Sequence, residues 1–337
     1  MIDFVAPRSK RGSRAIFMAV AVALSTVLAA CGTSTTDTTS DGEAWTYDSE
    51  AWTYVDARGE QISLDKIPER IVATADTAPV LLEYGVVPVG IIGFSRLDES
   101  TLNAFDFSGI AHVSETDTDI SAEKLLAVDP DLVIDIWSSY NGGNFGSIWG
   151  DDIARVEEVA PIAGVKITDG AQAALDSFSS LVQGIGGTDT SPVYAAKREE
   201  LSALGDRVRE LAAARTNISV AYVIPLESSL DYAVPGWTPL GSILETMGVE
   251  FAKLDSEDGF WASASWEEPG IFPADLVLIP PTWSDAPELD SPTFTRIPAV
   301  VSGQVASVEL RTGYSLTGIT EQMKRFADVY EKSGNVT

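Results

Sequence analysis

One cysteine and one histidine in 337 residues leave few ways to build a reactive centre. With His112 as the sole imidazole, a Ser–His–Asp triad has one histidine to draw on, and a zinc or manganese site made of several imidazoles is excluded. In "SGIAHVSET" His112 reads as a loop residue. Basic residues are also scarce, with 22 Lys and Arg against 50 Asp and Glu and a formal charge of −28. Arg8, Lys10, Arg11 and Arg14 against Asp3 make residues 1–30 net +3, so the remainder stands at −31. Such a surface repels nucleic acid and anionic lipid, because polyanion binding relies on Lys and Arg neutralising phosphates. It also disfavours anionic small ligands unless a pocket is locally basic. Carboxylate chemistry remains open, but no short motif pairs two acids across a cleft for it. The expectation is therefore a chain that is not an enzyme, has no resident metal or cofactor, and binds no nucleic acid.

What is present begins with the segment Ala15–Ala30, "AIFMAVAVALSTVLAA", which follows a basic start. It has the charged and apolar regions of an export signal, and it is shorter than the roughly 20 residues of a spanning helix. Leu28-Ala29-Ala30-Cys31 resembles the bacterial lipobox, which implies cleavage before Cys31 and lipidation of its thiol. Two acyl chains hold a protein stably to a membrane where one does not. The expectation is a signal peptide over 1–30 and a lipid-anchored protein on the extracytoplasmic face of the cell membrane. The stretch "GTSTTDTTSDGE" lacks apolar residues to offset ordering, and a flexible tether is assigned to 31–53. Within it "EAWTYDSEAWTY" duplicates five residues at 43–47 and 50–54, the second copy starting the first strand.

From Arg70 strands alternate with helices. "RIVAT", "VPVGIIG" and "DLVIDI" read as strands, "APVLLEYG" as a helix ended by Gly85, and "SAEKLLAVDP" as a helix capped by Ser121. The second half repeats the plan with the strand "ISVAYVI", the helix "LGSILETMGV" and a buried strand ending "ADLVLI". Alternation of this kind predicts α/β layers with mostly parallel sheets. Two internal matches point to two similar lobes: "LLEYGV" parallels "ILETMGV", and Glu123 and Glu267 each stand eight residues before the Asp of an Asp-Leu-Val, at Asp131 and Asp275. Between the halves, Ser191 and Pro192 open a long helical pattern with Val193, Leu201, Leu204, Val208 and Leu211 on one stripe. A lobe over 54–190, a bridging helix over 191–214 and a second lobe over 215–337 follow, the helix being stiff enough to keep hinge motion small.

In this order, "DARGEQISLDKIPERIVAT", "LLEYGVVPVGIIG", "SAEKLLAVDPDLVI", "SASWEE…ADLVLI" and "TRIPAVVSGQVASV" resemble the iron-siderophore substrate-binding proteins of ABC importers. The resemblance runs from about Tyr54 to the C-terminal helix. It implies two Rossmann-like α/β lobes joined by one long rigid helix, with a shallow ligand cleft between them, in a monomer. It also implies that one glutamate on each lobe docks into the permease subunits, which places that role on Glu123 and Glu267, with Glu268 as a neighbouring candidate.

The cleft is expected at loops following the carboxyl ends of strands. Those loops hold Arg96, Trp137, Tyr140, Trp237, Trp261, Arg311 and Tyr314, alongside Phe145, Trp149 and Phe260. Aromatic residues in Gly-rich loops fit a binding surface. Arg96, Tyr140 and Trp261 match the pattern of the ferric hydroxamate branch, in which Arg reaches the hydroxamate oxygens and the rings cover aliphatic chelate. An acidic chain suits a neutral or cationic ferric hydroxamate better than an anionic catecholate. Catecholate, haem and cobalamin remain alternatives on the same scaffold, and a surface hydrolase or a partner-binding scaffold are the more distant ones.

Overall fold

The computed structural model describes residues 45–47, 51–97, 99–117, 119–138, 143–253, 255–257, 259–266 and 274–337. Cys31, Tyr140, Glu267 and Glu268, like the signal segment 1–30, lie outside the described residues.

A three-stranded antiparallel sheet of β1 (Trp45–Tyr47), β2 (Trp52–Val55) and β3 (Gln61–Leu64) comes first. The duplicated pentapeptide pairs with itself, Trp45 opposite Tyr54 and Tyr47 opposite Trp52. Residues 45–47, assigned to the tether on composition, are therefore a strand. Trp-Thr-Tyr is a strong strand sequence, and its second copy supplies the partner that composition alone does not reveal. Trp52 and Tyr54 are buried, and the Trp52 indole N–H donates to the Gly184 carbonyl at 3.0 Å, fastening this sheet to the first lobe.

The first lobe is built on β4 (Ile71–Thr74), β5 (Gly90–Ile92), β6 (Ala111–His112), β7 (Leu132–Ser138), β8 (Asn144–Phe145) and β9 (Ile162–Lys166). β4 lies between β5 and β7, β6 lies beyond β5 and β9 beyond β7, all parallel, while β8 folds back antiparallel on the end of β7. Helices α1 (Ala78–Glu83), α2 (Glu99–Ala104), α3 (Ala122–Val128) and α4 (Asp151–Glu157) lie in the connections between them, and α5 (Ala171–Gly184) follows β9. Every residue of β4 is buried, as its nearly continuous apolar run requires of a strand covered on both faces. His112 sits in β6 rather than in a loop, its ring stacked 3.7 Å from Phe94 and its Nδ1 2.9 Å from Glu115.

Helix α6 (Pro192–Ala214), 23 residues and about 34 Å long, leads to the second lobe. Leu201, Leu204, Val208 and Leu211 pack into that lobe's core, while Tyr194 packs on the first lobe's. Val193, expected on the same stripe, is 42% exposed, since the helix at that point has left the second lobe's surface. Ser191 holds the N-cap position, but its hydroxyl makes no capping bond.

The second lobe carries β10 (Ser219–Pro225), β11 (Ser229–Ala233), β12 (Glu250–Phe251), β13 (Trp261–Ser265), β14 (Leu276–Ile279) and β15 (Val305–Ser307), with α7 (Pro239–Thr246), α8 (Pro298–Val301) and α9 (Leu316–Tyr330). β12, β10, β14 and β15 run parallel, and β11 and β13 add an antiparallel edge. Helix α9 lies along α6, with Arg207 bonded to Asp328 at 2.8 Å and to Glu331 at 2.5 Å.

The sequence repeat has a structural cause in both lobes. The Asp131 carboxylate accepts from the backbone N–H groups of Glu69 and Arg70 at 2.9 Å each, at the entry to β4. The Asp275 carboxylate accepts from Ser219 N–H at 2.9 Å, at the entry to β10. Each aspartate thus ties the start of its own strand to the start of the central parallel neighbour. The helix ends repeat as well: Gly85 (φ +82°) and Gly248 (φ +88°) close α1 and α7, with Val86 N–H on Leu81 O at 2.9 Å and Val249 N–H on Leu244 O at 3.1 Å. This is the left-handed glycine closure of a helix C-terminus.

Candidate functional site

Strand order reverses beside β4 in the first lobe and beside β10 in the second, and in open α/β sheets such points open a crevice at the strands' carboxyl ends. A cleft pocket of about 290 Å³ lies there, walled by both lobes. The first lobe contributes Ser138, Asn144, Phe145 and Thr168, and the second Trp237 and Phe260, with Tyr314 between them. None of the described residues lining it is charged.

On the first lobe the wall is a tight hairpin. β8 returns on β7 with Phe145 opposite Trp137 and Asn144 opposite Ser138. Glycine is obligatory at two positions of this turn. Gly143 has φ +95°, and a Cβ there would meet the Trp137 ring at 2.4 Å; a Cβ on Gly146 would meet Ile136 at 2.3 Å. Trp137 is consequently folded under Gly143 and edge-on to Phe145, ring centres 4.9 Å apart, and does not line the pocket. Arg58 lies on the Phe145 ring, 4.9 Å from its centre, and donates to the Asp56 carboxylate at 2.6 Å.

Arg96 follows β5 on a short turn and is gripped by acids. Its guanidinium lies 3.0 Å from Asp76 and 3.2 Å from Asp117, and donates to the Ser147 hydroxyl at 2.6 Å. Gly93 (φ +77°) makes room for this, since a Cβ there would stand 2.6 Å from the Asp117 carboxylate. Behind the cluster Asp135 is fully buried and accepts from Ser147 N–H at 2.8 Å, Ile148 N–H at 3.1 Å and the Thr74 hydroxyl at 3.0 Å. Burial, reinforced by the Asp76 charge, pushes the Asp135 carboxyl up to about 7.

The second lobe presents an aromatic wall. The Trp237 indole N–H donates to the Phe260 carbonyl at 2.6 Å, and its ring meets Trp261 edge-on at 5.5 Å. Arg311 lies 5.9 Å from the centre of the Trp261 ring, within cation–π range. Its Nε is 3.3 Å from the Tyr222 hydroxyl and 3.4 Å from Glu309, and Tyr222 is itself bonded to Glu309. Tyr314 is only 6% exposed and packs at 5.6 Å on Phe178, so this residue of the second half belongs to the first lobe's core.

Of the expected residues, Trp237 and Tyr314 line the pocket; Trp261 packs on Trp237 and Arg311 on Trp261, neither among the lining residues, and Arg96 stands with Asp76 and Asp117 on the first lobe, also outside the lining. Ser138, Asn144 and Thr168 had gone unnoticed, since only strand pairing shows which small polar residues face the cleft. Glu123 is exposed in the first turn of α3. Because β6 and β7 belong to one parallel sheet, α3 must run back between them. Its N-terminus, with Glu123, therefore stands at the sheet edge where the cleft opens.

No family model matches the chain, and no curated protein matches it. Solved structures do share the fold. DesE, a ferric-siderophore receptor protein from Streptomyces coelicolor, superposes with a TM-score of 0.74 at 21% identity, covering 85% of this chain and 100% of that one. The siderophore periplasmic binding protein from the fuscachelin gene cluster of Thermobifida fusca gives 0.57 at 21% identity, over 79% and 97% of the two chains. FhuD2 from Staphylococcus aureus, solved with bound ferrioxamine B, gives 0.58 at 18% identity, over 78% and 98%. The two-lobed fold of siderophore-binding proteins is thereby shown for this chain.

Proposed function

We propose that the protein is an extracytoplasmic solute-binding lipoprotein that captures a ferric siderophore of the hydroxamate type and delivers it to an ABC importer. The observation that carries this reading is the uncharged, aromatic cleft between two α/β lobes, on a fold whose solved representatives include proteins described as binding ferric siderophores. Iron here is cargo enclosed by its chelate, so the pocket need supply no metal ligand.

The choice of hydroxamate rests on charge. Arg96 and Arg311 are the cations assigned to the chelate in this reading, and both are already engaged, Arg96 by Asp76 and Asp117 and Arg311 by Glu309. A tris-catecholate iron complex is strongly anionic and would meet this acidic protein with little counter-charge to spare. A neutral or cationic hydroxamate meets rings and small polar groups, which suits the pocket. Trp237 and Trp261 would cover the aliphatic chelate while Arg96, Arg311 and Tyr140 reach toward its oxygens. Glu123 and Glu267 are assigned to docking on the permease subunits, and Cys31 to the lipid anchor.

Uptake of radiolabelled iron tests the reading. Cells lacking the gene should fail to import iron from a ferric hydroxamate, and the restored gene should return uptake. Undiminished uptake in the deletion strain for every ferric siderophore offered would contradict it.

A further inference from the structure

Behind the cleft, on the other side of Tyr314, lies a second cavity of about 320 Å³ enclosed by α1, α5, α6 and the start of α9. Its walls include Tyr84, Tyr194 and Phe178, and Tyr314 lines both spaces. Tyr84 and Tyr194 stand 4.3 Å apart between ring centres, and Phe178 packs on Tyr314 at 5.6 Å; all four belong to the lining, Tyr194 being the least buried of them. Glu83 belongs to its lining at only 1% exposed, both carboxylate oxygens accepting from the Leu316 and Thr317 backbone N–H groups, and the exposed Asp176, Asp189 and Arg198 line it as well. Lys197, whose charge also reaches Glu83, is paired with Glu200 at 2.9 Å.

We propose that this cavity is a second ligand site, for a small organic cation with an apolar body. Ring faces carry negative charge and attract ammonium groups, more strongly where water is excluded. The carboxylates of Asp176 and Asp189 against the one guanidinium of Arg198 give the same sign, and the net charge of the chain adds to it. An anion is repelled by each of these features, and a neutral molecule uses only the rings. The site does not depend on what fills the cleft, so it stands or falls apart from the siderophore reading. An occupant would lean on the Tyr314 ring from behind, which places it against a wall of the cleft.

Isothermal titration calorimetry of the full chain with benzyltrimethylammonium tests this, with benzyl alcohol and benzoate as the neutral and anionic probes. Saturable binding of the cation is expected, at least tenfold tighter than benzyl alcohol, with benzoate silent. Tyr194→Ala should weaken it at least tenfold, and Ser179→Trp, which fills the cavity from α5, should do the same; unchanged circular dichroism certifies each fold. Trp237→Ala, in the cleft, should leave it unchanged. No saturation by the cation, or binding lost in Trp237→Ala but retained in Tyr194→Ala and Ser179→Trp, would overturn the proposal.

Discussion

Glu83 and Thr317, 234 positions apart in the chain, are joined by a hydrogen bond of 2.6 Å from the Thr317 backbone N–H to the Glu83 carboxylate. Leu316 N–H donates to the other carboxylate oxygen at 2.9 Å. The end of α1 in the first lobe thus satisfies the first free amides of α9 in the second. Burial pushes the Glu83 carboxyl up to about 7, the two amides offsetting only part of that cost.

An acid raised in the folded state binds its proton more tightly there than when unfolded, so its ionisation opposes folding. Stability should therefore fall as pH rises from about 4.5 to about 7, by about 3 kcal/mol for Glu83 at most. Asp135, also held near 7, works in the same direction. Urea unfolding across that window should show the decline in the wild type, a shallower one in Glu83→Gln, and the shallowest in Glu83→Gln with Asp135→Asn.

Asp131 and Asp275 should behave in the opposite sense. Burial works against their charge, but the backbone N–H groups of Arg70 and Glu69, and of Ser219, Val336 and Thr337, outweigh it and hold both carboxyls below the usual range. Their contribution is present above the ordinary aspartate value and is lost as pH falls through the lowered folded one. Asp275→Ala should cost about 2–3 kcal/mol, since it strands several donors, and Asp131→Ala about 1 kcal/mol. Chemical unfolding at neutral pH and again in acid measures both, the differences shrinking in acid.

These two aspartates mark what local sequence could reveal. Strands β4, β7, β10 and β14 are nearly continuous apolar runs, and Gly85 and Gly248 announce helix ends, so the α/β plan was legible in the sequence. Helix α6 was legible from Ser191-Pro192 and its leucines. Glu83 was not: in "LLEYG" it looks like one more acid on a short helix, and only the arrival of α9 makes it a buried link. Trp137 misled for a similar reason, as a tryptophan in a Gly-rich loop fits a binding wall until the β7–β8 hairpin tucks it under Gly143. The acids around Arg96 come from two separate loops, Asp76 after β4 and Asp117 after β6, and nothing in their spacing brings them together.

Those acids have a selectivity consequence. Replacing Asp76 and Asp117 together by Asn releases the Arg96 guanidinium and moves the cluster's formal charge from −1 to +1. Affinity for an anionic ferric catecholate should rise about tenfold, equivalent to about 1.4 kcal/mol, while a cationic ferric hydroxamate should bind more weakly. Competition titrations with the two chelates measure the ratio; an unchanged ratio would remove the acids from any part in selection.

Docking separates from capture. Changing Glu123 and Glu267 together to Ala should leave chelate affinity within about twofold, because neither is assigned to the chelate, yet abolish iron uptake by cells, because charges at a partner surface act on encounter and specificity. Retained uptake would remove both residues from the permease interface.

The central claim is that the cleft takes a ferric hydroxamate, and tryptophan fluorescence reports on it directly, since Trp237 lines the pocket and Trp261 adjoins it. Ferric hydroxamates, ferric catecholates, haemin, cobalamin and the iron-free chelators would be titrated against the purified protein. Saturable quenching by a ferric hydroxamate, tighter than by any other chelate and weakened at least tenfold in Trp261→Ala, is the predicted result. Saturation by a catecholate, haemin or cobalamin with silence toward hydroxamates would contradict it.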